Sequence, residues 1–369
     1  MSGRLTGIKG ARGTGKTTML LQHLASLKMP VSRAAYFSLD ELYFTTHSLV
    51  ETAKTFYQQG GKVLALDEVH KYPRWAAEIK NLYDRYKDLQ IIFTGSSILD
   101  ISRQEGDLSR RALMHELKGL SFREYLGFFH HQTLPSITLA ELLSPDFNLR
   151  AKFPKDFKPL VHFGDYLQHG YYPFSLSDTE SYHQRLQQLT RLVVEYDMAE
   201  LKGFDIRHAK KMLQLLYVVA QQVPFKPNLQ SLAEKTNIHR NSINNYLHFL
   251  HEARLLHLLY PKGISVAVLQ KPEKIYLDNP NLLYALSESV PSTGTVRETF
   301  FNNQLSVNHR VNNSEKTDFI IDGKLHFEIG GKTKGKKQVA SLPDAWVVKD
   351  DLEYPVYQSL PLWAFGFLY

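Results

Sequence analysis

Short, predominantly apolar runs alternate with helical stripes along the first part of the chain. Leu5-Thr-Gly-Ile8, residues 34–39, Lys62-Val-Leu-Ala-Leu66 and residues 90–93 each read as a strand. Strands without a polar face are what a parallel sheet covered on both sides requires. Between them, Met19, Leu20, Leu21, Leu24 and Leu27 recur at helical spacing, as do Leu49, Val50, Ala53, Phe56 and Tyr57 before Gly60-Gly61, and residues 76–86 are amphipathic. This alternation predicts an α/β fold over residues 1–130, a parallel sheet with helices on both faces.

The rhythm then changes. Residues 131–160 hold Pro135, Pro145, Pro154 and Pro159 and little periodicity, which reads as a linker or irregular insertion. From His162 to about Gln222 the pattern is helical, broken at Gly170-Tyr-Tyr-Pro173, with stripes such as Leu186, Leu189, Val193 and Met212, Leu215, Leu216, Val219. Residues 131–222 are thus expected to form a linker and helical lid. Residues 223–263 carry a helix-turn-helix pattern. Leu229, Leu232 and Ala233 mark a short helix and Thr236-Asn-Ile-His239 a turn, while Ile243, Tyr246, Leu247 and Leu250 give the second helix its buried face. That helix is expected to expose Arg240, Asn241, Asn244, Asn245 and His248. From 264 to 369 short strands return, among them Ser265–Leu269, Ile275–Leu277, Phe319–Ile321 and Leu325–Ile329, and the apolar ending from Leu362 to Tyr369 is expected to dock as a last strand.

Composition narrows the class only slightly. Hydrophobic residues make up 43% and charged residues 22%, ordinary for a soluble globular protein. The absence of cysteine excludes disulfides and thiolate metal sites. No run of about 18 apolar residues suggests a membrane span, and no leader pattern opens the chain, so the expected location is cytoplasmic. The net charge is +7, and residues 205–262 hold eight Lys/Arg against three Asp/Glu, a local +5. Duplex DNA held through 228–260 and a winged helix that serves as an interaction module without touching DNA both stay open on this basis.

Candidate chemistry sits where the first strand meets the first helix. Gly10, Ala11, Arg12, Gly13, Thr14, Gly15, Lys16, Thr17 and Thr18 fit G-x-x-x-x-G-K-[ST], a loop whose backbone N–H groups cradle phosphates. Lys16 is placed for the β- and γ-phosphates of ATP and the Thr17 hydroxyl for Mg²⁺. The third apolar strand ends at Asp67-Glu68. Asp67 suits the Mg²⁺ shell and Glu68 the attacking water. His70 stands two residues on, either polarising the site or belonging to its surroundings. After the fourth strand, Thr94, Ser96 and Ser97 fit either a γ-phosphate sensor or the caps of a turn. Arg110 and Arg111 fit either a finger reaching a neighbouring subunit or a solvated surface pair.

Near the C-terminus, Glu298, Asp318 and Glu328 followed by Lys332 resemble the metal-binding acids and lysine of restriction-type nucleases. Gly330 occupies the position of the lysine in that pattern, and Lys332 comes two residues late. Lys324, Lys332, Lys334, Lys336 and Lys337 make a basic run, either a solvated face or a phosphate-backbone contact.

The residues from Ile8 to Thr18, from Leu66 to Pro73, Phe93-Thr-Gly-Ser-Ser97 and Leu108-Ser-Arg-Arg111 resemble the prokaryotic AAA-type P-loop ATPases. Phe327-Glu-Ile-Gly-Gly-Lys332 and the closing segment from Pro361 to Tyr369 are similar to a subgroup from Bacteroidetes-type bacteria. The resemblance implies an ATPase module followed by a helical lid, a winged helix and a small α+β domain of restriction-nuclease-like fold. It also implies ATP and Mg²⁺ as cofactors, Thr94 or Ser96 as sensor, Arg110 or Arg111 as finger, and a homo-oligomer. Relatives carry helical sequence before the first strand that encloses the adenine, so the short start here is expected to weaken base recognition. Three functions stay in view: an ATPase coupled to conformational change, a nucleotide-switched DNA-binding regulator, and an ATP-gated nuclease.

Overall fold

Five strands, all parallel, organise the first part of the protein. In a computed structural model that describes residues 3–95, 108, 110–198, 206–263, 271–332, 334–335, 339 and 342–369, the chain divides into two compact units, Met1–Gly119 and Leu120–Tyr369. The first unit runs β1 (Leu5–Lys9), α1 (Lys16–Ser26), β2 (Ala34–Ser38), α2 (Leu49–Gln58), β3 (Val63–Asp67), α3 (Trp75–Arg85), β4 (Gln90–Gly95) and β5 (Leu113–Glu116). The strand order is β2-β3-β4-β1-β5. Each helix lies where the apolar spacing requires it. On one face Ile8, Leu20, Val63, Ala65 and Ile92 pack together, and on the other Leu49, Ala53, Phe56, Trp75, Ile79 and Leu82 meet Leu64, Leu66 and Phe93. The strand β5 was not foreseen. It has four residues, its Leu113 is 48% exposed, and half-covered edge strands lack the apolar run that marked the others.

The second unit opens with α4 (Phe122–His130) and α5 (Leu139–Leu143), each started by a reciprocal capping box, Ser121 with Glu124 and Thr138 with Glu141. There follow α6 (Pro159–His169), α7 (Tyr182–Leu192), α8 (Ile206–Ala220), α9 (Leu229–Thr236) and α10 (Arg240–Glu252). An antiparallel ribbon of β6 (Leu256–Leu259) and β7 (Lys274–Leu277) comes next and straddles residue 263. The chain continues through α11 (Pro280–Leu286), α12 (Thr293–Leu305), β8 (Val311–Asn313), β9 (Phe319–Ile321), β10 (Leu325–Gly330), β11 (Ala345–Lys349) and β12 (Ser359–Pro361). The last five strands form a mixed sheet in sequence order, with β8-β9-β10 antiparallel and β10-β11-β12 parallel. The strand expected at Ser265–Leu269 lies outside the described residues.

Residues 131–160 are not a plain linker: they hold the short α5 and a 3₁₀ helix at Leu149–Lys152 before α6 begins, and their apolar side chains are structural. Leu134, Ile137, Leu139, Leu142, Leu149, Phe153 and Phe157 join one core with Phe300, Phe319, Phe327 and Trp363 from the C-terminal sheet and its helix. The final segment is a correction: only Ser359–Pro361 is strand, and Leu362–Phe367 is a 3₁₀ helix. A strand alternates its faces, whereas every side chain from Leu362 to Phe367 is buried. A tight helical turn lets all of them reach apolar neighbours, and a Cβ at Gly366 would stand 2.5 Å from that of Phe122.

A buried polar lattice also holds this unit together. The Asn281 side chain accepts from the Tyr171 N–H (2.8 Å) and the Tyr182 hydroxyl, and donates to the carbonyls of Tyr166 (3.2 Å) and Leu167 (2.9 Å). Asn303 donates to the Asp278 carbonyl, and Gln304 to the Tyr166 hydroxyl. No described helix is long and apolar enough to cross a membrane.

Candidate functional site

The loop between β1 and α1 folds as its glycines require. Gly13 and Gly15 have φ of 85° and 92°, in the left-handed region that side chains disfavour. A Cβ on Gly10 would fall 2.4 Å from the Leu117 carbonyl oxygen, so only glycine fits there. Gly15 stands at the N-cap of α1 and no side chain caps the helix, which leaves the first-turn N–H groups to an anion in the loop. Lys16 is buried, and its Nζ donates to the carbonyls of Gly10 (3.0 Å) and Ala11 (2.9 Å). The ammonium is thereby held over the loop. Thr14 closes the turn onto the Ala11 carbonyl, Ala11 and Arg12 are half-buried, and Thr18 is exposed.

Asp67 is the hub. It lies at the end of β3, 2% exposed. Its Oδ2 accepts from Thr17 Oγ1 (2.7 Å) and from the Tyr36 hydroxyl (2.9 Å). Its Oδ1 accepts from Thr94 Oγ1 and from the Glu68 N–H (3.1 Å). Strand register explains the convergence: Ser38 of β2 pairs with Asp67, and Phe93 of β4 pairs with Leu66, so three strand ends meet at one level beside the loop. Loss of water around the Tyr36 hydroxyl, and then its bond to the aspartate, push its pKa up to about 12. It stays a proton donor at neutral pH.

Glu68 follows with φ 50° and ψ 41°, a left-handed conformation costly for a residue with a side chain and concentrated at functional sites. His70 Nε2 lies 3.5 Å from its carboxylate, and the histidine side chain is almost wholly enclosed.

The structure thus brings together Lys16, Thr17, Asp67, Glu68 and Thr94. It separates the two arginines. Arg111 is bound bidentately to Asp84 of α3, at 2.9 and 3.0 Å, and its hydrogen bond holds the Asp84 carboxyl below its ordinary range. Arg110 is exposed. Ser96 and Ser97 lie outside the described residues. Tyr36 belongs to neither nucleotide motif; its signal in the sequence is a hydroxyl-bearing ring in the middle of β2, two residues before the polar Ser38 that ends the strand.

The donor set suits a nucleoside triphosphate with its metal. A glycine cradle that a Cβ would fill, a buried ammonium beside it, and a hydroxyl paired with a buried carboxylate are the groups a phosphate chain and Mg²⁺ require.

In the second unit helix α10 exposes Arg240, Asn241 and Asn245. His248 departs from expectation. It is 9% exposed and stacks on Tyr260, whose hydroxyl lies 3.3 Å from its Nε2, because it falls on the face turned to the ribbon. Each C-terminal acid has an internal partner, although Oε2 of Glu328 is buried without a hydrogen bond among the described residues. Glu298 accepts from the Tyr276 hydroxyl (2.7 Å), Asp318 accepts from the Ile329 N–H (2.8 Å), and Glu328 pairs with Lys334. Burial, then the Asp318 charge, raises the Glu298 pKa. Among the described residues no group of three or more His, Asp or Glu side chains is arranged to hold a metal ion. Lys336 and Lys337 of the basic run lie outside the described residues.

Comparison with known proteins agrees with this geometry at the N-terminal end. Residues 2–126 match the family model of an AAA domain, and residues 161–293 match that of a domain of unknown function. An uncharacterized protein of Methanocaldococcus jannaschii is 32% identical over 279 residues, 72% of this chain and 59% of that protein. The chain therefore spans less than two thirds of that relative's length. The Walker-type ATPase of Pyrococcus abyssi aligns over 77% of this chain and 91% of its own, at 13% identity and a TM-score of 0.47. AMPPCP-bound DnaA from Aquifex aeolicus aligns over 68% and 82%, at 18% identity and a TM-score of 0.28.

Proposed function

We propose that this chain, whose residues 2–126 match the family model of an AAA domain, hydrolyses ATP with Mg²⁺ and uses the cycle to rearrange its C-terminal modules. The observation that carries this reading is the meeting of Thr17, Thr94 and Glu68 on Asp67 beside the lysine-bearing loop. In it, Gly13, Gly15 and Lys16 bind the phosphates. Thr17 would hold the metal directly and Asp67 would act on its water shell; the metal, when bound, would neutralise charge on the β- and γ-phosphates. Glu68 orients and deprotonates the attacking water, and Thr94 reports the γ-phosphate to Asp67. Arg110 is the better finger candidate for a neighbouring subunit, since Arg111 is engaged by Asp84. Measured Mg²⁺-dependent ATP turnover tests the proposal. Lys16→Ala is expected to lower it by about 10²-fold or more, because one preorganised cation on the phosphates is removed. Absence of ATP binding and turnover in the native protein would reject the reading.

A second reading, a nucleotide-switched DNA-binding regulator, is supported by α8, α9 and α10 followed by the β6–β7 ribbon, an arrangement that reads as a winged helix. The basic excess and the exposed Arg240, Asn241 and Asn245 point the same way. Duplex DNA affinity should then fall steeply with salt. Arg240→Ala is expected to weaken it, and no binding at low salt would remove this reading. The nuclease reading has less support. Lys334 reaches over Gly330 to pair with Glu328, and the three acids are engaged within the protein. The likeness to a Bacteroidetes-type subgroup rests on the C-terminal residues alone.

A further inference from the structure

We infer that Tyr36 is a positioning residue for the metal-binding end of the nucleotide site, acting through Asp67. This rests on the ATPase reading and adds to it a residue that belongs to neither nucleotide motif. Tyr36 stands on β2, and its ring packs in the small apolar cluster between the sheet and α1, with Ile8, Leu20, Ala65 and Ile92. From there the hydroxyl reaches diagonally past Ala65, its register partner, to Asp67 Oδ2. The ring is anchored, so the hydroxyl has one place to be.

The acceptor count gives the hydroxyl its role. A carboxylate offers about four lone-pair positions. Thr17, Tyr36, Thr94 and the Glu68 N–H occupy them, two on each oxygen. A metal-bound water that needs Asp67 finds its positions already engaged by donors. Thr17 keeps its proton on Asp67 and offers a lone pair to the metal, so it does not have to leave. The Tyr36 hydroxyl works in the same way. It donates to Oδ2 and still has lone pairs with which to accept from a metal-bound water. Tyr36 thus extends the aspartate's grip on the metal's water shell and keeps Oδ2 turned toward Thr17.

Tyr36→Phe removes one oxygen and leaves the packed ring, so it tests this directly. The affinity of a fluorescent ATP analogue is titrated with and without Mg²⁺, for the wild-type protein and the variant. Expected is an unchanged affinity without Mg²⁺ and a loss of about tenfold in the enhancement that Mg²⁺ brings, the scale of one charge-assisted hydrogen bond. The thermal midpoint without nucleotide is expected to fall only modestly, because Asp67 Oδ2 keeps its bond from Thr17. An equal or larger Mg²⁺ enhancement in the variant overturns the inference, as does an equal loss with and without the metal, which marks a structural role. If the wild-type protein binds no nucleotide, both the ATPase reading and this inference fall. Wild-type binding with an indifferent variant rejects the inference alone.

Discussion

Glu68→Gln is expected to stop turnover while leaving ATP bound. The substitution keeps the size of the side chain and the N–H that donates to Asp67 (3.1 Å), and removes only the basic oxygen. General-base assistance contributes roughly 10²–10⁴-fold, and that is the expected fall in the turnover number. The Michaelis constant for ATP should move little, because the glutamine keeps the side chain's size and leaves the loop and Thr17 as they are. Single-turnover hydrolysis alongside equilibrium nucleotide binding separates the two effects. A variant that still turns over near the native rate would reassign the base, and one that no longer binds would show Glu68 to be a structural prop. The left-handed backbone at Glu68 fits the expected loss of turnover: strain of about 1–3 kcal/mol is retained where it aims a side chain.

The largest effect on stability is expected at Asn281. Replacing it by leucine removes all four hydrogen bonds of its amide and leaves the Tyr171 N–H, the Tyr182 hydroxyl and two carbonyls enclosed without that partner. Each unsatisfied buried group costs about 1–3 kcal/mol. Counting the two donors alone predicts a loss of about 4 kcal/mol, a large part of the roughly 5–15 kcal/mol that a domain possesses. Urea unfolding of the full chain followed by tryptophan fluorescence measures it. Trp346 and Trp363 report the second unit and Trp75 the first. The transition of the second unit should move to lower urea while that of the first stays in place. An unmoved second transition would mean that water or a rearranged neighbour replaces the amide.

These two sites differ in how far they could be read in advance. Lys16, Thr17, Asp67 and Glu68 were legible because a phosphate loop is contiguous and because the acids close an apolar strand; chain neighbourhood alone carries that chemistry. Asn281 was not legible. Its four partners lie about 100–115 positions away in the chain, and an asparagine in an apolar stretch has no local signature. The same holds for His248, which is polar and follows an apolar face closely enough to read as exposed, and for the C-terminal segment from Leu362 to Phe367, where composition signalled burial but not the backbone that achieves it.

By itself the sequence determined the parallel α/β architecture of the first unit, the phosphate loop, the paired acids and the helices from α8 to α10. Each of these follows from residues close together in the chain, through apolar periodicity, glycine freedom and capping. Only the tertiary structure decided that Tyr36 closes on Asp67, that Arg111 is bound to Asp84, that Lys334 covers Gly330 to reach Glu328, and that residues 131–160 share a core with the last sheet. Those outcomes depend on which strand ends and loops meet in space, and such contacts are set by sheet order and packing, which local pattern does not encode.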